Sequence, residues 1–214
     1  MKRIRKQKAP NSFTEWKLKN KAKQTNYSYD NFQNPEKREV HESLLQEQGY
    51  ICCYCCGRIR LDNSHIEHLK SQTDNPELDL DYHNMLASCG SQQRFPEYCG
   101  NQKGDRKIPI TPLQDRCEES FEFLRDGRIR PLKTKPEREQ EVNETIETLN
   151  LNHPEIREGR AEVFEWLKET FKRPRTIKEK QTLAKKYHKY LQRESDRYQE
   201  YWDVINFYIK RYFC

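Results

Sequence analysis

An α+β fold, with a small core of short strands set in a mainly helical chain, is what this sequence predicts, and three observations carry that prediction. Six of the eight cysteines, Cys52, Cys53, Cys55, Cys56, Cys89 and Cys99, crowd into one loop-rich stretch. Helical periodicity dominates everything beyond residue 137. The 214 residues are 35% charged and 33% hydrophobic, yet include 9 Phe, 12 Tyr and 3 Trp, enough bulky surface for a core despite a mean hydropathy of −1.22. No stretch approaches the roughly 20 apolar residues of a bilayer-spanning helix, and MKRIRKQKAPNSF lacks a secretory apolar run, so the expected location is the cytoplasm, without membrane contact.

Along the chain, residues 1–23 hold nine Lys or Arg against the single acid Glu15, a net of +8 on a body that is otherwise nearly neutral. This predicts a basic N-terminal arm over residues 1–33, with Arg3 and Arg5 available to phosphates, although a solvated tail would carry the same charge. A helix follows over 34–49, with Asn34 as cap, Pro35 in the first turn, Val40, Leu44 and Leu45 on one face and Gly49 as its stop. Residues 50–61 read as a hairpin or knuckle, and His65 to His68 as a strand end. The stretch around Tyr82 to Leu86 then leads into a polar loop with Gly90, Pro96 and Gly100 before Lys103. Phe121 to Ile129, with Asp126-Gly127, predicts a β-hairpin. Residues 137–150, 154–171 and 176–212 predict helices, the last carrying an aromatic stripe from Tyr187 to Tyr212 that reads as core or partner surface rather than a base-stacking platform. The division is therefore an arm at 1–33, a core at 34–110 and a hairpin with docking helices at 111–214.

Cys52-Cys53-Tyr54-Cys55-Cys56 contains two overlapping C-x-x-C pairs. A C-x-x-C turn brings two thiolates to one Zn²⁺, and Cys89 with Cys99 can close a tetrahedral Cys₄ site, with Cys52 and Cys55 or Cys53 and Cys56 as the other half. A Cys₂His₂ finger using His65 and His68 fits poorly, because the histidines are too close together and too near Cys55. Cys117 and Cys214 stand apart as bystanders. Inside the cysteine frame lies His65-Ile66-Glu67-His68, where Glu67 can hold a hard divalent cation and neutral His68 can accept a proton from water. On its own such a string is also a common surface motif.

The order of blocks, C-x-Y-C, I-E-H-L, Y-H-N-M-L-A-S-C and C-G-N-Q-K-G-D, resembles the HNH, or ββα-metal, endonucleases in their zinc-stapled form. More loosely, I-R-K-x-x-x-P, T-I-E-T-L-N-L-N and E-I-R-E-G-R resemble the PtuB branch of that family, found in Septu-type and some retron antiphage systems. The resemblance implies a small zinc-stapled ββα-metal core, with Glu67 as metal-binding acid, His68 as general base and Asn84 as the asparagine that fixes the loop and orients the histidine. The third functional position lies three residues before Lys103, where this chain has Gly100; glycine offers no ligand, so the role passes to Asn101, which with Glu67 would hold catalytic Mg²⁺ or Mn²⁺. Lys103 would touch a phosphate. The resemblance further implies hydrolysis of DNA, or of RNA such as tRNA, and a PtuA-type ABC ATPase as partner. The competing class is a non-catalytic zinc knuckle that binds nucleic acid or serves as an adaptor, which would need the four thiols but not the order Glu67, His68, Asn84.

Overall fold

The computed structural model describes residues 1–22, 27–90, 96–171 and 176–213. Its helices are α1 (Asn11–Ala22), α2 (Glu36–Gln48), α3 (Cys99–Lys103), α4 (Glu139–Thr148), α5 (Pro154–Thr170), α6 (Ile177–His188) and α7 (Trp202–Phe213). Two antiparallel hairpins, β1 (Ser64–His68) with β2 (Met85–Cys89) and β3 (Phe121–Phe123) with β4 (Ile129–Pro131), complete an α+β chain. No described helix is long and apolar enough to cross a membrane.

The helix expected over 34–49 forms as α2 and ends at Gly49, whose left-handed backbone (φ 64°) lets the following amide of Tyr50 reach the Leu45 carbonyl at 2.8 Å. Asn34 is not its cap: Pro35 occupies that position, and no side chain caps the helix. Val40, Leu44 and Leu45 are buried and seat α2 against the β1–β2 hairpin, each such side chain contributing roughly 1.5–3 kcal/mol. His41, on the same helix, lies 2.8 Å from the Ser64 hydroxyl at the start of β1, and burial pushes its pKa down to about 4. An unfolded chain takes up this proton near pH 6.5 and the folded one does not, so stability must fall as pH drops from 6.5 toward 4. Between pH 7 and 5.5 the zinc-loaded protein should lose about 1 kcal/mol more stability in urea titrations than its His41→Gln variant.

The basic segment expected as a free arm is built into the core instead. Met1 and Ile4 are buried, and the cations beside them find acids from distant parts of the chain: Arg3 pairs with Asp115 at 2.5 Å, Lys2 with Glu118 at 3.8 Å and Lys6 with Glu47 at 2.6 Å. Arg5 is exposed, and Arg3 is half-exposed in its pair with Asp115. Farther on, α1 buries Phe13 against Phe32, with ring centroids 4.8 Å apart, and Trp16 meets Phe32 edge-on. Charge counting missed this helix because three well-placed aromatics outweigh a solvated basic face.

The single C-terminal helix expected over 176–212 is two. Between α6 and α7 the chain leaves helical geometry, with Ser195, Asp196 and Tyr201 at positive φ, and wraps the cysteine knuckle. Arg193 donates to the Gln46 and Glu47 carbonyls at the end of α2, the Tyr198 amide bonds Gly49 and the Tyr201 amide bonds Cys56. These tertiary bonds replace those the helix would have made. The aromatic stripe is core: Tyr187, Trp202, Ile205 and Tyr208 are all buried, and Phe171 stacks on Tyr187 at 3.9 Å. One hydrophobic cluster runs from Met1 to Phe213 and takes in residues of all three expected stretches, 1–33, 34–110 and 111–214.

The later motifs are tie points of this core. Asn152 clamps both the amide and the carbonyl of Ile129 in the second hairpin. Buried Arg160 donates to the Leu151 carbonyl at 2.7 Å, and a side chain at Gly159 would collide with the Tyr201 ring.

Candidate active site

The knuckle closes on backbone bonds. The Cys52 amide bonds the Gly57 carbonyl, the Cys56 amide bonds Cys52, and Ile51 bridges Arg58, which turns Cys52 and Cys55 to one side. Strand β2 delivers Cys89, and Cys99 opens α3, its amide held by the Leu149 carbonyl at 2.8 Å. The four sulfurs of Cys52, Cys55, Cys89 and Cys99 lie within 4.8 Å of one another. A tetrahedral zinc with sulfurs at about 2.3 Å needs sulfur separations near 3.8 Å, so these thiols can hold a structural metal such as zinc after a small contraction. Burial raises the Cys52 pKa, but hydrogen bonds from the surrounding thiols, Cys53 among them, outweigh it and push the group well below the ordinary range. Of the two overlapping pairs, the structure gathers Cys52 and Cys55. Cys56 packs with Ile51 and Trp202, Cys117 is buried elsewhere, and Cys214 lies outside the described residues. Neither histidine joins the thiols: His65 lies against the Gly90 carbonyl and His68 against that of Asp79.

The hairpin pairs His65 with Ser88, Glu67 with Leu86 and His68 with Met85, and α3 follows it. Glu67 is buried, and its Oε1 accepts from the Tyr54 hydroxyl at 3.0 Å and from Lys103 Nζ at 3.0 Å. Burial, with the Glu67 charge beside it, pushes the Tyr54 pKa well up, so its hydroxyl keeps the hydrogen it donates. Glu67 Oε2 faces His65 Nε2 at 3.5 Å. Burial lowers the His65 pKa, but the hydrogen bond and charge of Glu67 raise it more, and the net direction is up.

His68 Nε2 lies 2.9 Å from the Asp79 carbonyl. A carbonyl only accepts, so Nε2 carries the hydrogen and Nδ1 keeps a lone pair. Tyr29 meets the ring edge-on at 4.6 Å, and burial lowers the His68 pKa. The loop that supplies the carbonyl is pinned by Asn84, whose Oδ1 accepts from the Lys70 amide at 2.8 Å and whose Nδ2 donates to the carbonyls of Lys70 and Leu78. Among the described residues no hydrogen bond or ion pair joins His68 to Glu67, although the charges of Glu67 and Lys103 both act on the ring.

Two expected contacts change. Lys103 is 1% exposed and serves Glu67 and the Gly104 carbonyl, so it is a counter-charge rather than a surface phosphate contact. Lys103→Met should cost about 3–5 kcal/mol in urea unfolding, because it leaves a buried carboxylate without its cation. The α3 residue facing Glu67 is Gly100: a Cβ there would lie 2.6 Å from Glu67 Oε2 and 2.9 Å from His65 Nε2. Asn101 is turned about 100° around the helix from that face, and its buried amide nitrogen has no partner among the described residues. No hydrogen bond or ion pair among the described residues links it to Glu67. Sequence reasoning missed His65, Tyr54 and Tyr29; the two-residue strand period, which places His65 and Glu67 on one face of β1, was the available signal.

A hairpin and short helix, held by four thiols around a buried acid and an oriented imidazole, is thus the architecture of the site. No protein-family model matches the chain. Over 135 residues, 61% of this chain, it is 31% identical to the "Retron Vc95 putative HNH endonuclease" of Vibrio cholerae serotype O1 biovar El Tor. The match covers 66% of that protein, just short of two thirds of its length.

Proposed function

We propose that this chain is a metal-dependent HNH endonuclease that hydrolyses phosphodiester bonds, with β1, β2 and α3 as its ββα-metal core. The observation that carries the reading is the placement of His68, whose tautomer is fixed by the Asp79 carbonyl on a loop that Asn84 pins, one residue from the buried acid Glu67. His68 Nδ1 takes the proton of a water aimed at the phosphorus, and the neutral form needed for this is favoured by burial. In-line attack puts the attacking water and the departing oxygen on opposite sides of phosphorus, so the base acts on one side and the cation on the other. Glu67 would hold a divalent cation, Mg²⁺ or Mn²⁺, which when bound supplies charge stabilisation to the phosphate and leaving oxygen. Tyr54 and Lys103 fix the carboxylate by occupying Oε1. The thiol site supplies no chemistry; it staples the knuckle to β2 and α3.

DNA is the proposed substrate. Incubating the zinc-loaded protein with plasmid, phage DNA and total RNA, with and without Mg²⁺ or Mn²⁺, tests this: metal-dependent DNA cleavage is expected. RNA cleavage alone would change the substrate, and binding without cleavage of either would leave a zinc-knuckle binding module.

The proposed setting is an antiphage complex with a PtuA-type ABC ATPase, as the resemblance of the chain's motifs implies. Because α7 is core, deleting the C-terminal helices would test folding rather than docking. Co-expression of the full chain with such an ATPase followed by size exclusion is the suitable experiment; separate elution would remove the partner and leave the nuclease reading intact.

A further inference from the structure

We propose that His65 is the second protein ligand of the divalent cation, bound with Glu67 Oε2 in the space that Gly100 leaves open. This rests on the nuclease reading above but names a ligand outside the I-E-H-L, H-N and C-G-N-Q-K blocks that suggested it.

The geometry argues in four steps. First, His65 Nδ1 lies 3.2 Å from the Gly90 carbonyl, which can only accept, so Nδ1 carries the hydrogen and Nε2 presents its lone pair. A histidine whose far nitrogen is tied to a carbonyl in this way is the usual arrangement of an oriented metal ligand. Second, Nε2 faces the Glu67 oxygen that Tyr54 and Lys103 leave unused at 3.5 Å: without an ion a proton on Nε2 bridges the two, and in the neutral ring their lone pairs converge on the place a cation would take. Donors at about 2.1 Å from one ion are roughly 3.0–3.4 Å apart, so the pair stands close to chelating distance. Third, Glu67 Oε1 is saturated by Tyr54 and Lys103, which leaves Oε2 as the coordinating atom. Fourth, the absent side chain at Gly100 keeps the volume beside both donors clear, and the His65 side chain is 29% exposed, which gives water and a phosphate oxygen access. An imidazole donor also sets the choice of ion: it favours a transition ion such as Mn²⁺ over Mg²⁺, which prefers an all-oxygen shell.

The test is Mn²⁺ binding to the full-length, zinc-loaded protein, followed by electron paramagnetic resonance, with ¹⁴N modulation reporting an imidazole on the ion. The wild type should bind Mn²⁺ with nitrogen coupling, and His68→Ala should keep both. His65→Ala should lose the coupling and weaken binding about tenfold or more. Gly100→Ala, whose Cβ would press on both donors at 2.6 and 2.9 Å, should weaken binding as well. Nitrogen coupling that survives in His65→Ala, Mn²⁺ bound without it in the wild type, or no Mn²⁺ binding would each overturn the assignment. Cleavage measured in parallel separates the two readings. Cleavage without His65 coupling sinks only this inference, whereas Mn²⁺ held by His65 in a protein that cuts nothing upholds the ligand and sinks the nuclease.

Discussion

His68→Ala should lower metal-dependent cleavage by about 10²–10⁴-fold while leaving the protein folded and zinc-loaded, the loss typical of removing a general base. The expectation follows from the tautomer. With Nε2 committed to the Asp79 carbonyl, Nδ1 is the nitrogen able to take a proton from water. Because burial lowers the His68 pKa, the base remains neutral at pH values where free imidazole is already half protonated. The acid limb of the wild-type rate profile should therefore fall below pH 6.5, with a plateau above it, and His68→Ala should show no such limb in its residual rate. Stability should fall by about 1–3 kcal/mol, from the lost hydrogen bond to the Asp79 carbonyl together with the lost ring contact with Tyr29. Equal cleavage by wild type and variant, with matched zinc content, would remove His68 from the chemistry.

The second large effect concerns the staple. Cys55→Ser should abolish stoichiometric zinc and lower the melting temperature by roughly 10 °C or more, since several kcal/mol of metal binding free energy act as folding free energy and each shifts the midpoint by about 2–4 °C. Cleavage should disappear with the zinc. Cys99 is both a member of the thiol cluster and the first residue of α3, so losing the ion frees the helix that brings Gly100 and Lys103 to Glu67. Cys53→Ser and Cys56→Ser should retain the metal, because neither sulfur belongs to the cluster, and should cost only the lesser penalty of a buried hydroxyl. Metal analysis of the purified variants with thermal melts decides the matter. Zinc retained in Cys55→Ser, or lost in Cys53→Ser, would shift the ligand pair.

Much of this site was legible in the sequence because its information is local. The C-x-x-C spacing forces a tight turn, His65 to His68 reads as a strand, and the order of Glu67, His68 and Asn84 follows the chain. Gly49 and the Val40, Leu44, Leu45 face likewise marked a helix through propensity and period alone. What only the tertiary structure decided was every choice between equivalent local options. Two overlapping C-x-x-C pairs are indistinguishable until β2 and α3 present Cys89 and Cys99 to one of them. The register of α3, which turns Gly100 rather than Asn101 toward Glu67, depends on how the helix lies against the hairpin. The basic N-terminal residues count as a free arm until Glu47, Asp115 and Glu118 arrive from far along the chain, and the last helix is continuous until Arg193 and Tyr198 find the end of α2. Periodicity and spacing act over a few residues, whereas the partner of a charge or of an unpaired backbone group is set by which distant segments pack together.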